Sequence, residues 1–499
     1  MIDGGVFLGK DPAIEYGYDL AGTLARLDAF GAARALAADF SAVYYQSAFG
    51  NARTLELCAA SNGRLIPLAA ACLAGWSVSR AELEELRAAG FKAVGLFPHM
   101  QSWRWSDYGV AKFAEKAAEA GLPIQTGAMD VTDLGHIARA AGPTGARVLV
   151  RWMQGRGYNN LPEIAAVAED FPEFLFDVGC VTQTGGIRWL CERVGSKRLY
   201  MASNSPTCLE GATYFSLYTA DLDDADRANI EGASLAAALG VQAPPRRASA
   251  HPFWTAHRRA PKIDTHWHTG AWNIIEPAIS HAAIRAELDA YGIEKMVTSS
   301  ILALNHDLAA GNADTERLVA ADKRVYGLIV VNPWRPAQSI AEIERLAANP
   351  RFVAVKTIQD FYYADGPMRI DHPAYRPILE AARRFDLPVM CHLPGLENVA
   401  DAFPEIHFVA AHSTWRYREL AKRPNIYFDI ATSSALRRNC DLRDLVAHAG
   451  PDRVIFSTDS QLMNPAWTLG KMASADLDTA LLDGIFRRNA LRAFPRLSN

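Results

Sequence analysis

Two long stretches of this chain repeat one another at almost fixed spacing, and that repeat limits the fold more than any other feature. Met1-Ile2-Asp3 and Lys262-Ile263-Asp264 align at an offset of 261 residues, and Phe91-Lys92-Ala93-Val94 and Phe352-Val353-Ala354-Val355 share that offset. Leu122-Pro123-Ile124 pairs with Leu387-Pro388-Val389 at 265, and Lys197-Arg198-Leu199 with Asp452-Arg453-Val454 at 255. Each fragment is short, but a nearly constant offset across half a chain marks a tandem duplication of one whole fold.

Within each copy, short β-branched and aromatic runs alternate with helical segments rich in Ala, Leu, Glu and Arg. The first copy predicts strands near 2–8, 42–46, 65–72, 92–97, 122–127, 147–152, 174–179 and 198–204, with helices such as Ser79–Ala89, Tyr108–Ala120 and Asn160–Glu169 between them. The second predicts strands near 262–268, 295–301, 325–331, 352–358, 387–393, 407–412, 426–431 and 453–459, and a closing helix over Asp476–Ala493. A strand followed by a helix, repeated through a domain of this size, is the rhythm of a (β/α)8 TIM barrel. The expectation is therefore α/β, two tandem barrels over 1–240 and 261–499. They are joined by a linker at 241–260 whose three prolines and several arginines break the periodicity, with Phe253 and Trp254 to pack it.

A formal net charge of −4 gives no electrostatic footprint for nucleic acid or an anionic membrane. Seven scattered cysteines without a CxxC suit a reduced compartment. With no secretory signal or membrane-length apolar run in view, a cytoplasmic protein is expected.

The second copy carries the chemistry. On its first strand, Asp264-Thr265-His266-Trp267-His268, alternation projects His266 and His268 to one side and turns Thr265 and Trp267 to the other. His392 ends the fifth strand, His412 the sixth and Asp459 the eighth. Barrel active sites form at the C-terminal ends of strands, so these side chains can converge on one axial point. Three or four N/O ligands with an open position make a catalytic divalent-metal site. Cys391 alternates to the opposite face from His392 and reads as core packing. GxSxG, GxxxxGK and GxGxxG motifs are absent, which argues against serine hydrolases, kinases and dehydrogenases.

Asp264-x-His266-x-His268, His392, His412, Phe456-Ser457-Thr458-Asp459 and Arg488-Asn489-Ala490 together resemble the amidohydrolase superfamily, specifically the amidohydrolase-related (amidohydrolase-2) family, over essentially all of 262–499. The resemblance implies that His266, His268, His392 and Asp459 hold the metal. It makes His412 a further ligand or an electrophile near the substrate, and Asp459 the general base. Some members bridge two metals through a carboxylated lysine on the fourth strand, where Lys356 stands. A lysine in the barrel mouth or touching substrate is the preferred reading, so one Zn2+ is expected, with Mn2+ as the alternative.

The duplication also allows a comparison inside the chain. His266 and His268 correspond to Gly5 and Phe7, Lys356 to Gly95, His392 to Gly127, His412 to Trp152 and Asp459 to Asn204. Only His99 and His136 precede the linker, against nine of thirteen histidines after residue 260. The first barrel is thus expected to be degenerate and without metal ligands. Since relatives are often homodimers, it would serve as an internal pseudo-dimer partner whether or not the chain forms a homo-oligomer. The segment Gln101-Ser102-Trp103-Arg104-Trp105 either packs locally, the preferred reading, or reaches the second barrel.

Arg416, Trp267, Tyr362 and Lys356 are the expected substrate contacts, suited to a small carboxylated or aromatic molecule. Two reactions fit: metal-dependent hydrolysis of an amide, lactone or ester through activated water, placed first, and non-oxidative decarboxylation of an aromatic or unsaturated acid. A non-catalytic metal- or ligand-binding scaffold is the reading from another class.

Overall fold

The computed structural model describes the chain except residues 13–15, 74–77, 106–108, 153–160, 180, 209, 246–250, 274–279, 358–367, 393, 414–417, 432–439 and 499. It forms two compact units, Met1–Thr255 and Ala256 onward. Each contains one curled sheet of parallel strands in sequential order, as the strand–helix rhythm requires. Among the described residues no helix is long and apolar enough to cross a membrane.

In the first unit the strands are β1 (Ile2–Asp11), β2 (Tyr16–Tyr18), β3 (Arg34–Asp39), β4 (Leu65–Ala71), β5 (Ala93–Leu96), β6 (Ile124–Ala128), β7 (Val148–Trp152), β8 (Phe174–Asp177) and β9 (Leu199–Tyr200). The sheet has nine strands rather than eight, because β1 continues into an antiparallel pairing with β2. The strand expected near 42–46 is a correction: Phe40–Tyr44 is helical and the strand is Arg34–Asp39. Val43-Tyr44-Tyr45 has strand-like composition and Arg34-Ala35-Leu36-Ala37-Ala38 helix-like composition, but burial between β1 and β4 overrides both. Asp39 then caps the helix by accepting from Ser41 N at 2.9 Å. Trp103 and Trp105 are buried and pack edge to face at 5.5 Å.

The second unit has β10 (Lys262–Thr269), β11 (Ile293–Ser300), β12 (Val325–Val330), β13 (Phe352–Thr357), β14 (Val389–Cys391), β15 (Phe408–Ala410), β16 (Ile426–Asp429) and β17 (Val454–Ile455). The expected closing helix is broken into Thr479–Asp483, a π-helical turn at Gly484–Arg488 and Asn489–Ala493. Pro252–His257, within the expected linker, is also helical. Its Trp254 is buried, 5.0 Å from the Phe215 ring.

Neither sheet closes by a ladder; each closes by one bridge, Val6 to Ser205 and Trp267 to Ser460. A buried aspartate reinforces both. Asp3 Oδ1 accepts from Gly5 N and Ser203 N at 3.1 and 2.9 Å, and Asp264 Oδ1 accepts from His266 N and Thr458 N at 3.2 and 3.1 Å. Asn51 exchanges paired bonds with Ala70, and Asn312 with Val330, in the same way. The duplication is thus preserved down to individual hydrogen bonds.

At the entry to β10, the fully buried Lys262 ammonium is ringed by the carbonyl oxygens of His257, Arg258, Ala260 and Tyr291 at 2.6–3.1 Å, with the Phe486 ring at 4.9 Å. Lys262→Met keeps the stem but strands the acceptors, so urea unfolding is expected to show a loss of about 2–3 kcal/mol. An unchanged midpoint would refute that role.

Candidate metal centre

The strand ends of the second unit bring together His266, His268, His392, His412 and Asp459. Two triads share His266: His266, His268 and Asp459, and His266, His392 and His412. In each, one ligand atom per residue lies within 4.8 Å of the others. Asp459 Oδ1 is 3.2 Å from His268 Nε2 and 3.7 Å from His266 Nε2, and Oδ2 is 3.8 Å from His412 Nε2. The His392 and His412 rings lie 4.8 Å apart.

What surrounds the rings fixes where their protons are. His412 Nδ1 lies 2.9 Å from the Ala431 carbonyl oxygen, which can only accept, so Nδ1 donates and Nε2 presents a lone pair. His266 Nδ1 lies 2.6 Å from Asp429 Oδ2, and its Nε2 lies 3.0 Å from Lys356 Nζ. A charged ammonium only donates, so Nε2 must accept and Nδ1 carries the hydrogen toward Asp429. His268 Nδ1 meets the Ser299 hydroxyl at 3.1 Å. Asp459 Oδ1 is buried and in no hydrogen bond of proper angle, despite facing His268 Nε2.

Lone pairs and a carboxylate converging on one point repel each other until a cation joins them. The donor set therefore fits a divalent metal, and the outward hydrogen bonds to Asp429, Ala431 and Ser299 are the kind that orient metal-bound imidazoles.

The electrostatics agree. Burial holds His266 well below the ordinary imidazole range and lowers His412 to about 3, so both stay neutral and able to coordinate. Burial works to raise Asp459, but His412, His268 and Lys356 outweigh it and keep the carboxylate below its usual range. Burial raises Asp429, with Ser457 and Lys356 opposing. Two backbone features hold the geometry: His412 and Asp459 have φ of 55° and 62°, left-handed values that turn their side chains inward at the strand ends.

Other expectations fare unevenly. Lys356 is fully buried inside the cluster rather than at its rim. Trp267, expected at the substrate, is a correction. It is fully buried, and alternation along β10 sets it on the face away from His266 and His268. Arg416 and Tyr362 lie outside the described residues. Cys391 is fully buried and its thiol is pushed up to about 12 by burial, as befits core packing.

Sequence reasoning missed Asp429, Ser299 and Lys471. Asp429 was findable, since it ends β16 as Asp459 follows β17; Ser299 gave no signal among neighbouring serines. Lys471 is fully buried with Nζ 3.3 Å from the Ile430 carbonyl oxygen, and burial lowers it to about 7.

A family model described as Amidohydrolase matches residues 6–233 and 255–496. No curated protein matches the chain. Solved structures similar to it include 2,6-dihydroxybenzoate decarboxylase from Rhizobium, at 18% identity and TM-score 0.40, covering 48% of this chain and 99% of that one. 5-Carboxyvanillate decarboxylase from Sphingomonas paucimobilis has 17% identity and TM-score 0.39 over 47% and 99% of the two chains. A dihydroxybenzoic acid decarboxylase from a Polaromonas species, with bound manganese and 2-nitroresorcinol, has 20% identity and TM-score 0.37 over 48% and 98%.

Asp429→Asn retains the shape of the residue but weakens its hold on the His266 Nδ1 proton. Metal affinity of the purified chain is expected to fall about 10- to 100-fold with the thermal unfolding of the metal-free protein little changed. Equal affinity in both proteins would show that Asp429 does not orient a ligand.

Proposed function

We propose, on the premise that the chain belongs to the amidohydrolase family, that its second unit is a metal-dependent hydrolase acting on an amide, lactone or ester bond of a small carboxylated or aromatic molecule. The observation that carries this reading is the set of neutral imidazole Nε2 lone pairs from His266 and His412 directed at the buried Asp459 carboxylate. His266, His268, His392 and Asp459 would hold one ion. An imidazole-rich set suits zinc, with manganese as the alternative. When bound, such an ion polarises a carbonyl oxygen and lowers the pKa of water to about 7.

The chain's own residues then divide the work. Asp459 is the base: its Oδ2, on the His412 side, takes a proton from the attacking water and returns it to the leaving atom. His412 cannot turn away, because its Nδ1 hydrogen is tied to Ala431, so its Nε2 stays beside Asp459 and the reacting group. Asp429 and Ser299 keep His266 and His268 in register. Lys356 supplies a fixed positive charge for a substrate carboxylate, its ammonium exchanging His266 Nε2 for the incoming group. Burial of His266, His268, Asp459, Asp429 and Lys356 strengthens the interactions among them. The first unit, with Gly5, Phe7, Gly127, Trp152 and Asn204 at the corresponding places, is catalytically silent in this reading.

Lys356 also favours a second reaction, non-oxidative decarboxylation of an aromatic or unsaturated acid. A carboxylate drawn to this ammonium would leave as carbon dioxide, while Asp459 relays a proton taken from water to the carbon it vacates.

A screen of small carboxylated esters, lactones, amides and aromatic acids in 18O-labelled water separates the two. Label in the product supports hydrolysis; unlabelled product with carbon dioxide release reverses the order. In either case Asp459→Asn is expected to lower kcat on the order of 10²- to 10⁴-fold, and unchanged turnover would end both readings. Metal analysis should give one equivalent per chain, kept in Lys356→Met while KM rises. Two equivalents in the natural chain, falling to one or none in the variant, would instead make Lys356 a metal bridge.

A further inference from the structure

The first unit has lost the metal ligands, but it carries a cation of its own at the same place. Arg151 is on β7, one residue before Trp152, and 1% exposed. It lies on the face of β7 that carries Leu149, which packs in a core cluster with Leu36, Ile66, Leu68 and Tyr200. The guanidinium carbon sits 5.0 Å from the Phe7 ring and 5.5 Å from the Phe97 ring. A Cβ built on Gly5 would lie 3.2 Å from Arg151 Nη1 and 3.2 Å from Asn204 Oδ1, so both atoms border the same spot. By the internal alignment Gly5, Phe7 and Asn204 stand for His266, His268 and Asp459.

None of the three guanidinium nitrogens has a hydrogen-bond partner, although all are buried. Arginine keeps its charge in proteins, so it cannot escape this state by losing a proton. Burying an unpaired charge is among the most unfavourable arrangements a fold can hold. Two carboxylates, Asp177 and Asp3, are close enough to act on it electrostatically. Both are committed elsewhere: Asp177 to the amides of Trp152, Gly179 and Ala202, and Asp3 to Gly5 N, Ser203 N and the Tyr214 hydroxyl.

Two buried acceptors are also unmatched, Asn204 Oδ1 and Gln125 Oε1. Their amide orientations are fixed, because Asn204 Nδ2 donates to the Trp152 carbonyl oxygen and Gln125 Nε2 to that of Gly4. The site thus offers a planar, positively charged fork of donors beside neutral acceptors. An anion with two coplanar oxygens and a hydroxyl hydrogen of its own answers both the charge and the acceptors.

We infer that the first unit binds a small hydroxylated carboxylate at Arg151, with bicarbonate the smallest member of that class. Its two oxygens pair with the guanidinium, and its hydroxyl donates to Asn204 Oδ1 or Gln125 Oε1. This site is separate from the second unit's chemistry and does not depend on the function proposed for it.

The test uses the full chain and labelled bicarbonate at pH 8 in sealed equilibrium dialysis, with formate as the probe that lacks the hydroxyl donor. The natural chain should retain one equivalent of bicarbonate, at least tenfold more tightly than formate. Asp459→Asn should retain it equally, which separates this site from the metal centre. Arg151→Met should retain none. Gly5→Ala, which crowds the spot shared by Nη1 and Asn204 Oδ1 without touching the charge, should weaken binding at least tenfold and covers the case in which Arg151→Met does not fold. Bicarbonate retained by a folded Arg151→Met chain, retained undiminished by Gly5→Ala, or lost only in Asp459→Asn would overturn the assignment.

Discussion

The feature on which the second unit's site depends is the buried carboxylate of Asp264. It ties the start of the sheet to its end, with Oδ1 accepting from His266 N and Thr458 N and Oδ2 from the Thr458 hydroxyl at 2.6 Å. Consecutive parallel strands align themselves by ladders, but the first and last strands of this sheet share a single bridge. Asp264 adds side-chain bonds to the few backbone bonds that fix β10 against the segment carrying Asp459. Asp459 N reaches the His266 carbonyl oxygen at 2.8 Å and His268 N reaches that of Ser460 at 2.5 Å. The convergence of His266, His268 and Asp459 is therefore a by-product of how the sheet is closed. Burial pushes the Asp264 carboxyl up to about 8, against the donors that favour its ionised form.

Much of this was legible in the sequence because it rests on period and position. Alternation predicted that His266 and His268 face one way, and the rule that barrel chemistry gathers at strand C-termini found His392, His412 and Asp459. What was not legible rests on orientation. No spacing says that Ser299 will meet His268 Nδ1, or that Ala431 will hold His412 by its carbonyl oxygen. Asp429 obeyed the positional rule and was passed over because it meets His266 from the Nδ1 side rather than facing the other histidines. Trp267 was placed at the substrate despite lying, by the same alternation, on the other face. Arg34–Asp39 was hidden by alanines, whose small side chains suit a strand packed tightly on both faces but read in isolation as helix.

The two units show the same closure with opposite contents. Asp3 repeats Asp264, and Asn204 repeats the left-handed backbone of Asp459, with φ of 55° against 62°. Asparagine and aspartate are among the few non-glycine residues that tolerate this conformation, so the exchange preserved the turn while removing the charge. The first unit therefore keeps the scaffold of the second while holding different side chains at the strand ends. Hydrogen bonds unrelated to metal, such as those of Asn51 and Asn312, survived equally in both halves.

What changed was the distribution of volume around the axis. In the second unit the residue before His412 is Ala411, buried in a core cluster with Ile263, Val297 and Val409. In the first unit that position is Arg151, and the residues opposite it became Gly5 and Phe7. Gly95, at the place of Lys356, is likewise filled from outside, since a Cβ there would lie 2.6 Å from Phe97 Cζ. The side chains traded size in a concerted way: imidazoles gave way to a glycine and a phenyl ring, and a guanidinium took the space. Close packing couples such exchanges, because volume added at one interior position has to be matched by volume removed beside it. The two units thus fill corresponding places at the strand ends differently, one with imidazoles and a carboxylate and the other with a buried guanidinium whose three nitrogens have no hydrogen-bond partner.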